Sequence, residues 1–255
     1  MINDLIQVEK SNNIGKITFN NGDWNILNIA MMKQINEALE SFINDQSLKA
    51  VVIDHNGRSF SAGVDVGEHM GDLAPKMLKE FHSMFKKLNR LKCPTIASVK
   101  GAALGGGCEV AVFCDMVFAS EKAKFGQPEI KVGVFPPISV LIFPYLTGHK
   151  KAYELLLQGE TISANEAHRL GLVNHVFPID SYEQEFFKFL EKFNKLSTVV
   201  LQHTKKAIRL GFVNDFDSQI DKVEEYYLNE LMKTDDANEG LKAFVEKRTP
   251  EWKNH

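Results

Sequence analysis

The apolar positions of the chain follow two spacings whose order predicts an α/β protein. Short apolar and β-branched stretches at Ile14 to Phe19, Ala50 to Ile53, Thr95 to Val99 and Met116 to Ala119 predict strands, those at Ala50 to Ile53 and Thr95 to Val99 buried. Between them, Met32, Ile35, Ala38, Leu39, Phe42 and Ile43 recur at helical spacing within Ile29 to Ile43, as do Met77, Phe81, Phe85 and Leu88 within residues 76–91. Asn20-Asn21-Gly22-Asp23 reads as a turn, and Asn56 to Asp65 as a small-residue segment where a strand gives way to a loop. The first half therefore repeats strand, strand, helix.

The second half changes character. Phe125 to Glu129 and Gly133 to Pro137 are turn-rich loops, Lys150 to Leu157 is a helix, and Ser163 to Leu170 is another, with Ser163 as N-cap and Glu166 completing a capping box. From Tyr182 onward the period is helical, with breaks near Ser197, Gly211 and Thr234. The aromatic residues of these helices, Phe186, Phe189, Phe193, Tyr226, Tyr227 and Phe244, suggest packing partly on another subunit.

One stretch, Pro94 to Asp115, organises the rest. Its strand Thr95 to Val99 and its helix Cys108 to Phe113 flank Gly101-Ala-Ala-Leu-Gly105-Gly106-Gly107, where glycines permit positive φ and a close approach of ligand to backbone. Unpaired N–H groups at the helix start face a site for negative charge. Glu109 follows among Val110, Ala111, Val112 and Phe113, and a carboxylate in such company is costly unless paired or working. A phosphate loop does not fit, because Gly107 stands where the Walker lysine belongs and Val110 where the last glycine of G-x-G-x-x-G belongs. Packing glycines with Glu109 as a satisfied structural carboxylate remain the alternative on residue chemistry alone.

Composition narrows the classes. The chain has 255 residues, 44% apolar and 25% charged, enough for a sizeable core in one large domain or one domain with an appendage. A net charge of -3 gives no global field for nucleic acid or an anionic membrane. Cys93, Cys108 and Cys114 are expected to be buried free thiols in a reducing compartment. The N-terminal residues lack the look of a signal or transit peptide, and no apolar run reaches the length of a membrane span, so a cytoplasmic protein is expected.

At Phe60-Ser-Ala-Gly-Val-Asp65, Ala103-Leu-Gly-Gly-Gly-Cys-Glu109, Cys114-Asp115, Phe125-Gly-Gln-Pro-Glu129 and Ala243-Phe-Val-Glu-Lys-Arg248, the sequence resembles the crotonase family, the enoyl-CoA hydratase/isomerase superfamily. The resemblance spans essentially the whole chain. It implies an α/β spiral of repeated ββα units over residues 1–195 and a C-terminal helical trimerisation region over residues 196–255, assembled as a homotrimer or a dimer of trimers. It also implies an acyl-CoA thioester substrate, with coenzyme A as part of the substrate and no further cofactor or metal.

By the same resemblance, the backbone N–H groups of Val64 and Gly106 form the oxyanion hole for the thioester oxygen, and Glu109 and Glu129 are the catalytic pair around one water. Ala62, Asp65, Val66, Leu104, Gly105, Phe135 and Pro136 are expected around the acyl-CoA, with Phe244 and Lys247 reaching CoA from a neighbouring subunit. Asp65 is expected to order the oxyanion loop, Asp115 to brace a helix end, and His69 and His82 to be partly exposed polar side chains bordering the pocket. Fixed donors aimed at an enolate oxygen stabilise it, and losing one typically costs about 3–4 kcal/mol. Hydration needs two proton-transfer groups, because water must lose a proton while carbon gains one.

Departures from the family pattern bear on the substrate. Where typical hydratases carry a glycine-rich loop after the second glutamate, this chain has Phe135-Pro136-Pro137-Ile138-Ser139-Val140-Leu141, stiffened by two prolines. Asn25-Ile26-Leu27-Asn28 lacks the lysine usual on the adenine side, leaving none there for the 3′-phosphate. Gly-Val-Asp-Val with Gly-Val-Phe-Pro-Pro resembles the cyclic dienoyl-CoA hydratases, which implies cyclohexa-1,5-diene-1-carbonyl-CoA as substrate and a role in aromatic degradation. A short-chain 2-enoyl-CoA hydratase of fatty-acid oxidation and a Δ3,Δ2-enoyl-CoA isomerase are the enzyme alternatives, and a non-catalytic acyl-CoA- or RNA-binding scaffold the alternative of another class.

Overall fold

The computed structural model describes residues 4–210 and 216–252, so the expected break near Gly211 lies outside the described residues. The chain begins with β1 (Ile6–Ser11) and β2 (Ile14–Phe19), an antiparallel hairpin, followed by α1 (Ile29–Ile43). Two full units of the same kind come next. They are β3 (Ala50–His55), β4 (Ser59–Ser61) and α2 (Ala74–Arg90), then β5 (Thr95–Val99), β6 (Ala102–Leu104) and α3 (Gly106–Phe113). A third repeats the strands as β7 (Met116–Ser120) and β8 (Lys124–Gly126) and ends in a 3₁₀ turn at Pro128–Val132.

The repetition builds two sheets at once. One has strand order β1-β2-β3-β5-β7-β10, closed by β10 (His175–Phe177), and the other β4-β6-β8-β9, closed by β9 (Thr161–Ser163). In the three units after the β1-β2 hairpin, which lies wholly in the large sheet, the first strand joins the large sheet and the second joins the small one, with parallel pairing between successive units. The chain thus winds as a spiral, as expected from the strand, strand, helix rhythm. The helices α4 (Ser139–Thr147), α5 (His149–Gln158), α6 (Ala164–Arg169), α7 (Tyr182–Asn194), α8 (Thr198–Leu210), α9 (Phe216–Asn229) and α10 (Asp235–Glu246) complete it.

Residue alternation on the large sheet explains its two faces. Val51, Ile53, Ala97, Val99, Val117 and Ala119 face the main core with α1, α2 and α3, whereas Ala50, Val52, Ile96 and Phe118 face α7 through Tyr182, Phe186 and Phe193. The expectation that the aromatics of the late helices pack on another subunit is corrected for Phe186, Phe193 and Tyr227, which are buried within their own chain. Tyr226 and Phe244 are exposed.

Sequence periodicity missed β1, whose residues after Ile6 are exposed, and the short strands of the second sheet. The resemblance to the family's glycine-rich loop also placed Ser139 to Leu141 in a loop. These residues open α4, because Pro136 and Pro137 end the extended segment and leave Ile138 and Ser139 as a helix start.

Candidate active site

Two loops meet at the start of α3. Leu27 forms a parallel bridge to Val64, in which the Leu27 N–H donates to Gly63 O (2.9 Å) and the Asp65 N–H donates to Leu27 O (3.2 Å). Both hydrogen bonds use the neighbours of Val64, so its own N–H points the other way. On the opposite loop, Gly105 adopts φ +52° and its N–H donates to Gly126 O (2.9 Å), which leaves Gly106 as the first residue of the helix. First-turn N–H groups have no partner inside a helix. Among the described residues, neither the Val64 nor the Gly106 N–H donates to a protein acceptor.

The loops are in van der Waals contact. A Cβ on Gly106 would lie 2.7 Å from Val64 Cγ2, and one on Gly63 would lie 3.8 Å from Gly106 N. A Cβ on Gly107 would meet Ser61 at 2.5 Å, so the triple glycine is what lets α3 sit against β4. The Asp65 carboxylate accepts the Gly67 N–H (2.8 Å) and opens the 3₁₀ turn Val66–His69, which is the loop-ordering role expected of it. Ala62 is tied to Trp24 O through its N–H (2.8 Å), and Leu104 ends β6 beside Gly105.

Glu109 lies in the first turn of α3 and is 1% exposed. Its Oε1 accepts the N–H groups of Ile138 and Ser139, both at 2.8 Å, so the carboxylate caps the start of α4. Burial nevertheless pushes its pKa up to about 7, against the pull of those two donors. Glu129, on the turn Pro128–Val132, is raised well above the ordinary carboxylate range by burial and then by the charge of Glu109. With the Gln127 amide nitrogen facing the carboxylate, it donates to Glu129 Oε2 (3.1 Å) and Oε1 (3.2 Å), while its oxygen accepts from Ser139 Oγ (2.5 Å). A Cβ on Gly105 would stand 2.7 Å from Glu129 Oε1. Glu129, Gly105, Gly106, Val64 and Glu109 are thereby gathered at one place.

Two carboxylates titrating against each other beside unpaired N–H groups can hold one proton and one negative charge at neutral pH. Of the two, Glu109 is better suited to the charge, since it alone has two backbone donors at a helix start. Phe135 stands nearby with its ring 5.1 Å from Tyr227 and 6.2 Å from Tyr226, and Pro136 is buried beside it.

Other expected residues fall elsewhere. Phe244 is 54% exposed, and Lys247 caps α10 with φ 55°. That helix packs on Val66–His69 and Pro128–Val132 of its own chain. His82, expected partly exposed, is 2% exposed because α9 covers it and Glu224 binds its Nδ1. His69 is held by Asp65 O (2.9 Å). Cys108 and Cys114 are free and buried, with burial raising both thiols, and Asp115 braces β5 by accepting from Thr95 N (2.7 Å) and pairing with Lys205 (2.6 Å). Sequence reasoning gave no role to Gln127, Ser139 or Tyr227. The first two lie inside the stretches Phe125 to Glu129 and Phe135 to Leu141, although the backbone donor of Ser139 carries no sequence signal; Tyr227 is brought in only by the fold.

The spiral architecture and a coupled carboxylate pair at a helix N-terminus are those of an acid–base enzyme. The pattern of the enoyl-CoA hydratase/isomerase family matches residues 9–255, and the chain belongs to that family. It is 39% identical over 230 residues to the cyclohexa-1,5-dienecarbonyl-CoA hydratase of Thauera aromatica, covering 90% of this chain and 89% of that one. To the 2,3-dehydroadipyl-CoA hydratase of Escherichia coli K12 it is 36% identical over 232 residues, covering 90% of each. The crystal structure of an enoyl-CoA hydratase from Mycobacterium avium subsp. paratuberculosis K-10 superposes with a TM-score of 0.87 at 29% identity, covering 98% of this chain and 99% of that one. The protein is an enoyl-CoA hydratase-type lyase acting on acyl-CoA thioesters. No helix among the described residues is long and apolar enough to cross a membrane.

Proposed function

We propose that the protein adds water to a conjugated double bond of a cyclic dienoyl-CoA, with cyclohexa-1,5-diene-1-carbonyl-CoA as the preferred substrate, and that it does so without a resident cofactor. The observation that carries hydration is the coupled pair Glu109 and Glu129, one stabilised as carboxylate and the other as acid. In this reading the thioester oxygen rests on the N–H groups of Val64 and Gly106. Glu109 takes a proton from water, the hydroxyl adds to the β-carbon, and negative charge moves onto the thioester oxygen, where the two donors stabilise it. The proton on Glu129 passes to carbon as the enolate collapses, and a proton transfer from Glu109 to Glu129 resets the pair.

The cyclic preference is supported by the rigid segment Phe135-Pro136-Pro137 and by the aromatic wall that Phe135 makes with Tyr226 and Tyr227, surfaces suited to a flat ring. Similarity to the Thauera aromatica hydratase agrees with it. Similarity to the dehydroadipyl-CoA enzyme favours a second reading, hydration of a linear 2-enoyl-CoA. We further propose a homotrimeric assembly, supported by exposed apolar residues on α4 and α5, among them Tyr153 and Leu157.

The test is a parallel assay in H₂¹⁸O with cyclohexa-1,5-diene-1-carbonyl-CoA and crotonyl-CoA. Oxygen-18 in the product of the cyclic diene, with little on crotonyl-CoA, is the expected result. Preference for crotonyl-CoA would move the assignment to linear acyl groups, and double-bond migration without oxygen-18 would overturn hydration.

A further inference from the structure

Helix α9 is laid along α2 by a polar seam. Asn89 Nδ2 donates to Asp217 (3.4 Å), Lys86 pairs with Asp221, and the buried His82 binds Glu224. The three acidic positions share one stripe of α9, so the seam fixes both the placement and the rotation of that helix. Three residues past Glu224 comes Tyr227, 1% exposed, its ring set edge-on to Phe135 at 5.1 Å. Phe135 in turn begins the segment whose Ile138 and Ser139 hold Glu109.

Tyr227 is therefore brought to the carboxylate site from an element far away in sequence. Burial, and after it the charges of Glu129 and Glu109, push its phenol up, so the hydroxyl keeps its proton. Among the described residues, no protein acceptor takes that O–H. Its oxygen is not among the fully enclosed polar atoms without a partner, so the hydroxyl keeps an opening to solvent and can donate to a water there.

We propose that the Tyr227 hydroxyl is a third polar group of the hydration site, donating a hydrogen bond to the water that Glu109 and Glu129 hold. The proposal rests on the hydratase reading. The donor orients the water oxygen so that a lone pair faces the β-carbon while Glu109 takes the proton. Tyr227 itself exchanges no proton in the reaction. A purely packing role would need the ring alone.

Tyr227→Phe keeps the ring, so the fold and the contact with Phe135 are retained. The expected result is a kcat lower by about tenfold with KM changed by less than about twofold, the signature of a hydrogen bond made to the reacting water rather than to bound thioester. An unchanged kcat, or a loss confined to KM, overturns the proposal. The wild-type protein is run beside it in H₂¹⁸O. Absence of label from wild-type product sinks the hydratase reading itself, whereas an active wild type matched by Tyr227→Phe sinks only the role of the hydroxyl.

Discussion

The N–H of Ile138 donates to Glu109 Oε1 at 2.8 Å, and this bond joins a carboxylate of α3 to the proline-stiffened segment that departs most from the family pattern. The segment is thus both a wall of the site and an electrostatic support, because its ordered amides are what hold charge on Glu109.

Loosening that support is expected to raise the pKa of Glu109. Changing Pro136 and Pro137 together to glycine adds backbone freedom, weakens the two donated hydrogen bonds and favours the protonated carboxyl. The rising limb of the pH–rate profile should move to higher pH, with lower activity at pH 7. A profile that keeps its position would show that the prolines have no part in tuning the site.

Folding stability is expected to respond to the carboxylate pair in a defined direction. A carboxyl whose pKa is raised in the folded chain binds its proton more tightly there, so this contribution is fully present below the ordinary value of 4.5 and is lost as pH rises through the raised value, about 7 for Glu109. Glu129→Gln removes one charge of the pair. Thermal unfolding should show a higher Tm than wild type at pH 8, by about 2–4 °C for each kcal/mol relieved, and the gain should shrink toward pH 5. Activity should fall by about 10²–10⁴ in the same variant.

Gly105 combines φ +52° with a Cβ position 2.7 Å from Glu129 Oε1. Gly105→Ala should destabilise the fold by about 1–3 kcal/mol through backbone strain and push Glu129 out of place. Urea unfolding reads the first effect and kcat the second. Wild-type kcat would mean that the Glu129 carboxyl can shift without consequence.

Removing Glu224 should unfasten α9. Glu224→Ala leaves the buried His82 without its partner, since His82 Nε2 already lacks one among the described residues, and should cost about 1–3 kcal/mol. Hydrogen exchange should accelerate in α9 before it does in α3.

How much of this could be read along the chain depended on the range of the interaction. The four longest strands other than β1, the helices α1 and α2, and the pairing of glycine turn with Glu109 all carry local signals, in periodicity or in backbone demand. The second sheet does not, because its strands are three residues each and owe their existence to neighbours one spiral turn away. Ile138 and Ser139 act through backbone groups, which no side-chain motif announces. Tyr227 looked like one more aromatic on an amphipathic helix, and only the fold, with the seam between α9 and α2, sets its ring against Phe135.

The alternation along β3, β5 and β7 divides the large sheet into a side that serves the carboxylates through α1, α2 and α3, and a side filled by Phe118 and the rings of α7. Such a partition lets the two sides diverge on separate schedules. Residues on the carboxylate side can change while the Phe118 layer holds the scaffold together, and an engineer seeking heat tolerance can redesign the Phe186 and Phe189 neighbourhood apart from Glu109 and Glu129.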